Sequence, residues 1–146
     1  MKVSEYLGAH PRKVVTVKPE LLVRYAMRRL IENAISCLPV VAPSGALLGI
    51  ISDKDIFRAA YEGPESFIEQ KVEDLMSKDL IIGLPDDDFD YIGGVMTKNR
   101  IRHVPIMDGR NLVGLISVGD FVKAQLKSAE IENRYLKKFI KDPYPA

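Results

Sequence analysis

Apolar residues along this chain follow a few rhythms that each occur twice. The runs Val14-Val15-Thr16-Val17 and Leu80-Ile81-Ile82-Gly83 each stop two residues before a proline and predict short strands. Behind each, apolar positions recur at three- and four-residue spacing: Leu22, Tyr25, Ala26 and Leu30, then Phe89, Ile92, Val95 and Met96. That spacing predicts helices over about 19–33 and 85–99. Two hairpins follow, "CLPVV" to "LLGII" through Pro43-Ser44-Gly45 and "HVPIM" to "LVGLI" through Asp108-Gly109. A last helix opens at a serine in each half. The second of these carries Val122, Leu126, Ile131, Tyr135 and Phe139 on one stripe and is expected over 118–141.

Strand, helix, strand, strand, helix is therefore written twice, and the repeat is the organisation of the chain. The segment "GIISDKDIF" at 49–57 returns as "GLISVGDFV" at 114–122, so Ser52 and Asp55 align with Ser117 and Asp120. Upstream, Pro39 aligns with Pro105, and Ser36 and Cys37 with Arg102 and His103. Further back, "VSEYL" at 3–7 matches "VEDLM" at 72–76, the first copy carrying three extra residues after it. The expected division is a first repeat at 1–61, a linker at 62–71 turning at Gly63-Pro64, a second repeat at 72–125, and a helical extension and tail at 126–146. The fold class is α/β (α+β), two pseudo-symmetric β-α-β-β-α repeats with a long C-terminal helix. The small sheet of one copy cannot bury its face alone, so the copies are expected to pack sheet to sheet.

Composition narrows the function more than it names it. Across 146 residues the hydrophobic share is 47% and the charged share 28%, which is globular rather than disordered. A formal net charge of +1 gives no electrostatic grip on nucleic acid. No run approaches the roughly 18 apolar residues of a membrane span, and the first ten residues hold no apolar signal segment. The single Cys37 excludes an internal disulfide and, among Leu38, Pro39 and Val40, reads as a small buried hydrophobe. A cytoplasmic location is expected.

The chemistry sits at the two serine-opened helices. Ser-x-x-Asp at a helix start is first of all a capping box: the serine oxygen accepts a helical N–H and the aspartate reaches back to the serine N–H. The same place also suits an anion, because free N–H groups and the helix dipole favour negative charge. A carboxylate nearby can accept from the vicinal hydroxyls of a ribose. The glycines before the serines, Gly49 and Gly114, would let backbone or ligand come close. The two roles are compatible, and both stay open from the residues alone.

The segments "LPVVAPSGALLGIISDKDI" and "RHVPIMDGRNLVGLISVGDFV" resemble the CBS-domain family (cystathionine β-synthase motif), in the tandem arrangement called a Bateman module. The resemblance covers about 3–122, and the tail looks like the terminal helix of stand-alone bacterial CBS pairs. It implies a non-enzymatic regulatory protein that takes an adenosine ligand such as AMP, ADP, ATP, NAD or S-adenosylmethionine in a cleft between repeats. By the same resemblance Asp55 and Asp120 would hold ribose hydroxyls, and Ser52 and Ser117 would bond phosphate. Backbone at Thr16-Val17 and Ile82-Gly83 would frame adenine, and Arg102 and His103 stand where basic phosphate ligands are often placed. Ser36 and Cys37, their counterparts in the first copy, are uncharged, so two equivalent sites are not expected. The expected ligand is a phosphate-bearing adenosine nucleotide. The expected partners are a second copy of the chain and an unidentified regulated protein.

The remaining features favour plain roles. Asp86, Asp87 and Asp88 complement a helix start and lack other ligands at metal spacing. His103 has no nucleophile motif beside it, so a phosphate contact or a surface role is preferred to a catalytic base. The rival functions are a purely structural dimerisation module, in which Ser and Asp are caps alone, and a nucleotide-hydrolysing enzyme, for which no metal set or nucleophile is written.

Overall fold

In the computed structural model, which describes residues 1–139, the chain runs α1 (Val3–Ala9), α2 (Val23–Asn33), β1 (Cys37–Val41), β2 (Leu47–Ser52) and α3 (Asp53–Glu62). After a 3-10 turn at Phe67–Glu69 come α4 (Val72–Leu75), α5 (Phe89–Asn99), β3 (His103–Asp108), β4 (Asn111–Ser117) and α6 (Val118–Phe139). The expected end of α6 at Lys141, like the tail beyond it, lies outside the described residues. The mixed α/β fold with two small sheets and a C-terminal helix agrees with the sequence reading.

Each sheet is one antiparallel hairpin, β1 with β2 and β3 with β4, in matching registers: Cys37 faces Ser52, and His103 faces Ser117. Gly45 and Gly109 turn the hairpins at φ of 89° and 61°, a region in which a side chain would be strained. The predicted first strands are shorter than expected. Only Val17 and Gly83 pair, each a single parallel bridge to Val40 or Ile106. The residues before them cross between the two sheets and the prolines after them have no N–H to donate, so neither ladder grows.

Helices α2 and α5 also each start four residues later than their prolines suggest. Tertiary pairing holds those residues extended. The N–H groups of Val72 and Glu73 bond the carbonyls of Leu21 and Pro19, and those of Val3 and Ser4 bond Asp87 and Pro85. These contacts expose the main departure from a simple two-bead arrangement: each sequence repeat lends its leading helix to the core of the other. Val72 of α4 is buried with Val17, Val23, Ala26, Leu38 and Ile51. Val3 and Tyr6 of α1 are buried with Phe89, Ile92, Met96, Val104 and Ile116. Burying one such aliphatic side chain contributes roughly 1.5–3 kcal/mol, more than an exposed ion pair gives. The exchanged helices therefore hold the halves together.

Gly49 and Gly114 fit that exchange. A Cβ on Gly49 would lie 2.6 Å from the Ser77 carbonyl oxygen, and one on Gly114 would lie 2.7 Å from the Leu7 side chain. The close approach expected at both glycines is made by the chain itself.

Candidate functional site

Both serine-opened helices carry a complete capping box. At α3 the Ser52 Oγ accepts the Asp55 N–H at 3.3 Å, and the Asp55 carboxylate accepts the Ser52 N–H at 2.9 Å. At α6 the corresponding distances are 3.0 Å for Asp120 to Ser117 and 2.8 Å for the return bond. Both aspartates are thus fixed by backbone before any ligand arrives.

What reaches each carboxylate next differs between the halves. Ser77 donates its hydroxyl to Asp55 at 3.3 Å while its backbone pairs with Ile50. From there the chain runs to Gly83, whose N–H and carbonyl bond Pro105 and Met107 in the other sheet. The segment that begins on Asp55 therefore ends at Ile82-Gly83. In the other half Arg12 reaches Asp120 at 2.5 Å and the Leu115 carbonyl at 3.1 Å, and its segment ends at Thr16-Val17. Each Ser–Asp pair is thereby joined to the connecting segment that enters the opposite sheet.

Asp120 is buried, with only 8% of its side chain exposed. Burial pushes its carboxyl up, but the Arg12 guanidinium and the Ser117 N–H outweigh that and hold it below the ordinary value. Asp55 is half-buried.

Arg102 and His103 sit at the junction of the halves. Arg102 pairs with Asp53, the first residue of α3, and that hydrogen bond lowers the Asp53 carboxyl. The basic residue thus belongs to the helix start of Ser52 and Asp55. The His103 Nε2 lies 3.1 Å from the Ser36 Oγ. Burial, and then the neighbouring Arg102 charge, push the His103 imidazole below its ordinary value, which favours the neutral form at pH 7.

Three grooves touch the remaining candidates. One of about 750 Å³ includes Thr16 and Val17 beside Lys18, Tyr25 and Arg29, with Arg29 donating to the Thr16 carbonyl at 2.8 Å. One of about 620 Å³ includes Ile82 with Lys78, Met107 and Arg110 and with Ser44–Leu48 residues of the first hairpin. One of about 470 Å³ reaches Asp55 along Arg58, Glu62 and Asp74. None of these three grooves contains Ser52, Ser117, Asp120, Arg102, His103 or Gly83.

Sequence reasoning missed Arg12, Ser77 and Asp53. The three extra residues after α1 were the available signal for Arg12, because they change which side chain meets the second carboxylate. Among the acids singled out, Asp87 accepts the Leu84 N–H and Asp88 caps α5 by accepting the Asp90 N–H. No cluster of potential metal ligands occurs among the described residues.

Two matches to the CBS domain model cover residues 3–62 and 72–127. The chain belongs to the CBS-domain family. It is 30% identical over 117 residues to the CBS domain-containing protein YhcV of Bacillus subtilis, covering 80% of this chain and 81% of that one. Among solved structures it resembles a CBS-domain containing protein from Agrobacterium tumefaciens, with a TM-score of 0.81 and 31% identity over 85% of this chain and 92% of that one. It also resembles the CBS domain pair of protein MJ0100 in complex with 5′-methylthioadenosine and S-adenosyl-L-methionine. That likeness has a TM-score of 0.77 and 26% identity over 88% of this chain and 98% of the other. No described helix of this chain is long and apolar enough to cross a membrane.

Proposed function

We propose that this CBS pair is a non-enzymatic sensor that binds an adenosine nucleotide (AMP, ADP, ATP or NAD) between its repeats. The observation that carries the reading is the doubled helix start at the junction of the halves. Asp55 and Asp120 are each oriented by a serine N–H and each touched by a segment leading to the other sheet. The adenosine-type ligands bound by the MJ0100 pair support the ligand class. In this reading Asp55 takes the ribose diol, and Ile82-Gly83 frames the base. The Ser52 hydroxyl with the first turn of α3 takes phosphate, and Arg102 is released from Asp53 to join it. His103, being neutral, contributes a hydrogen bond rather than a charge.

Binding across segments that tie the two sheets together stabilises one relative arrangement of the halves, by no more than the ligand's differential affinity for the two states. The changed surface is read by another protein. The sensor works as a homodimer. Phe57 of α3 is 79% exposed and, with Ile31, lines an apolar groove of about 400 Å³ that a second copy would cover; Tyr61 of the same helix is 86% exposed. The one free cysteine, buried, suits a reducing cytoplasm.

The test is a thermal-shift panel of AMP, ATP, NAD, S-adenosylmethionine and adenosine on the intact chain. A rise in melting temperature with a phosphate-bearing member supports the reading. No shift with any member leaves the structural dimerisation module, which the ligand-free capping boxes also satisfy. Product formed from ATP during the incubation would favour the hydrolase instead.

A further inference from the structure

Ile50 and Leu115 hold the same place in the two repeats, yet their carbonyls are met differently. The Ser77 backbone N–H bonds Ile50 at 2.8 Å, and its hydroxyl bonds Asp55. In the other half one guanidinium nitrogen of Arg12 does both jobs, on the Leu115 carbonyl and on the Asp120 carboxylate. A neutral hydroxyl at 3.3 Å has been exchanged for a charge-assisted bond at 2.5 Å. The carboxylate concerned is also the more buried one, and the oxygen that takes Arg12 already accepts the Ser117 N–H.

We propose that Arg12 is an internal occupant of the second repeat's carboxylate, which makes the two sites unequal: an adenosine ligand fills the Asp55 site first and must displace Arg12 to use Asp120. This rests on the ribose reading above. A diol is neutral, so it cannot replace the charge of a guanidinium on a buried carboxylate, and displacement leaves Asp120 without its cation. At the Asp55 carboxylate the same ligand displaces only neutral hydroxyls, those of Ser77 and Ser52. Arg12 is half-exposed, with 53% of its side chain open to solvent, so it reaches Asp120 from the surface and can swing away. The three-residue insertion after α1 is what brings it there.

The test titrates adenosine and AMP by calorimetry into the intact chain carrying Asp55→Ala, which isolates the second site. Arg12→Met, which keeps an apolar stem, and Arg12→Gln are each added, and circular dichroism confirms folding. Removing the guanidinium should tighten adenosine about tenfold, the factor expected where a binding-competent state is populated roughly one part in ten. A further Asp120→Asn change should abolish that gain. Unchanged adenosine affinity in both Arg12 variants overturns the inference, as does weaker AMP binding, which would make Arg12 a phosphate ligand. If AMP binds the unaltered chain while the Arg12 variants gain nothing, only this inference fails. If neither ligand binds the unaltered chain or any variant, the nucleotide reading fails with it.

Discussion

Arg102 of the second repeat pairs with Asp53 at the first turn of α3 in the first, two residues before Asp55. Both side chains are more than one-third exposed, so the pair adds less than about 1 kcal/mol to stability. A phosphate arriving at that helix start would offer Arg102 a better partner than a solvated carboxylate does. Arg102→Ala should therefore weaken AMP about tenfold, the equivalent of about 1.4 kcal/mol, while leaving adenosine nearly unchanged. It should also shift the melting temperature little. Equal loss for both ligands in calorimetry would assign Arg102 to the base pocket or the fold.

A second expectation concerns pH. Burial and Arg102 lower the His103 imidazole below its ordinary 6.5, so between the folded value and 6.5 the unfolded chain binds the extra proton. Stability from this group is present above 6.5 and is lost as pH falls through the folded value. Asp53 and Asp120 are also lowered, and their contribution is lost only in more acid solution, below their ordinary 3.8. Urea melts from pH 8 to 5 should show a decline that His103→Gln flattens. An identical decline in the variant would place the titration elsewhere.

The packing of exchanged helices makes its own prediction. Gly49→Ala puts a methyl 2.6 Å from a backbone oxygen that is held by the Ile50–Ser77 bridge. Overpacking of this kind costs about 1–3 kcal/mol. Denaturant unfolding should show that loss, whereas Gly94→Ala, which meets nothing within 4 Å, should be neutral or stabilising in its helix.

A fourth prediction concerns assembly. Val122, Leu126 and Ile131 of the stripe read from sequence remain exposed on α6, as does Leu136 beside them. Truncation after Lys127 should move the particle toward monomer in light scattering if α6 serves the dimer. A full-length protein that is monomeric at high concentration would refute the role.

Much of this architecture was legible because the chain states it twice. Pro39 with Pro105 and Ser52 with Ser117 set the hairpins and helix starts in register, and local capping chemistry then fixed Asp55 and Asp120. Long-range exchange was not legible. Nothing in the residues around Val3 or Val72 says which of two similar cores will receive them, and that choice delayed α2 and α5 and reduced two strands to bridges. The pairing of Arg102 with Asp53 was hidden for the same reason, since each lies in a different copy. Arg12 escaped because alignment of the repeats sets insertions aside, and its position depends on one.

The central claim is that the Asp55 carboxylate holds the ribose of a bound nucleotide. Calorimetric titration of AMP into the intact protein and into Asp55→Ala tests it most directly, with Asp120→Ala in parallel and urea melts of all three. Loss of a ribose contact should weaken AMP at the first site by about 1.5–3 kcal/mol, the range for a hydrogen bond to a charged group. A cap alone would instead cost about 1 kcal/mol of stability and leave affinity as it was. Weakened binding in Asp55→Ala is the predicted result; unchanged AMP affinity in both aspartate variants would contradict the account.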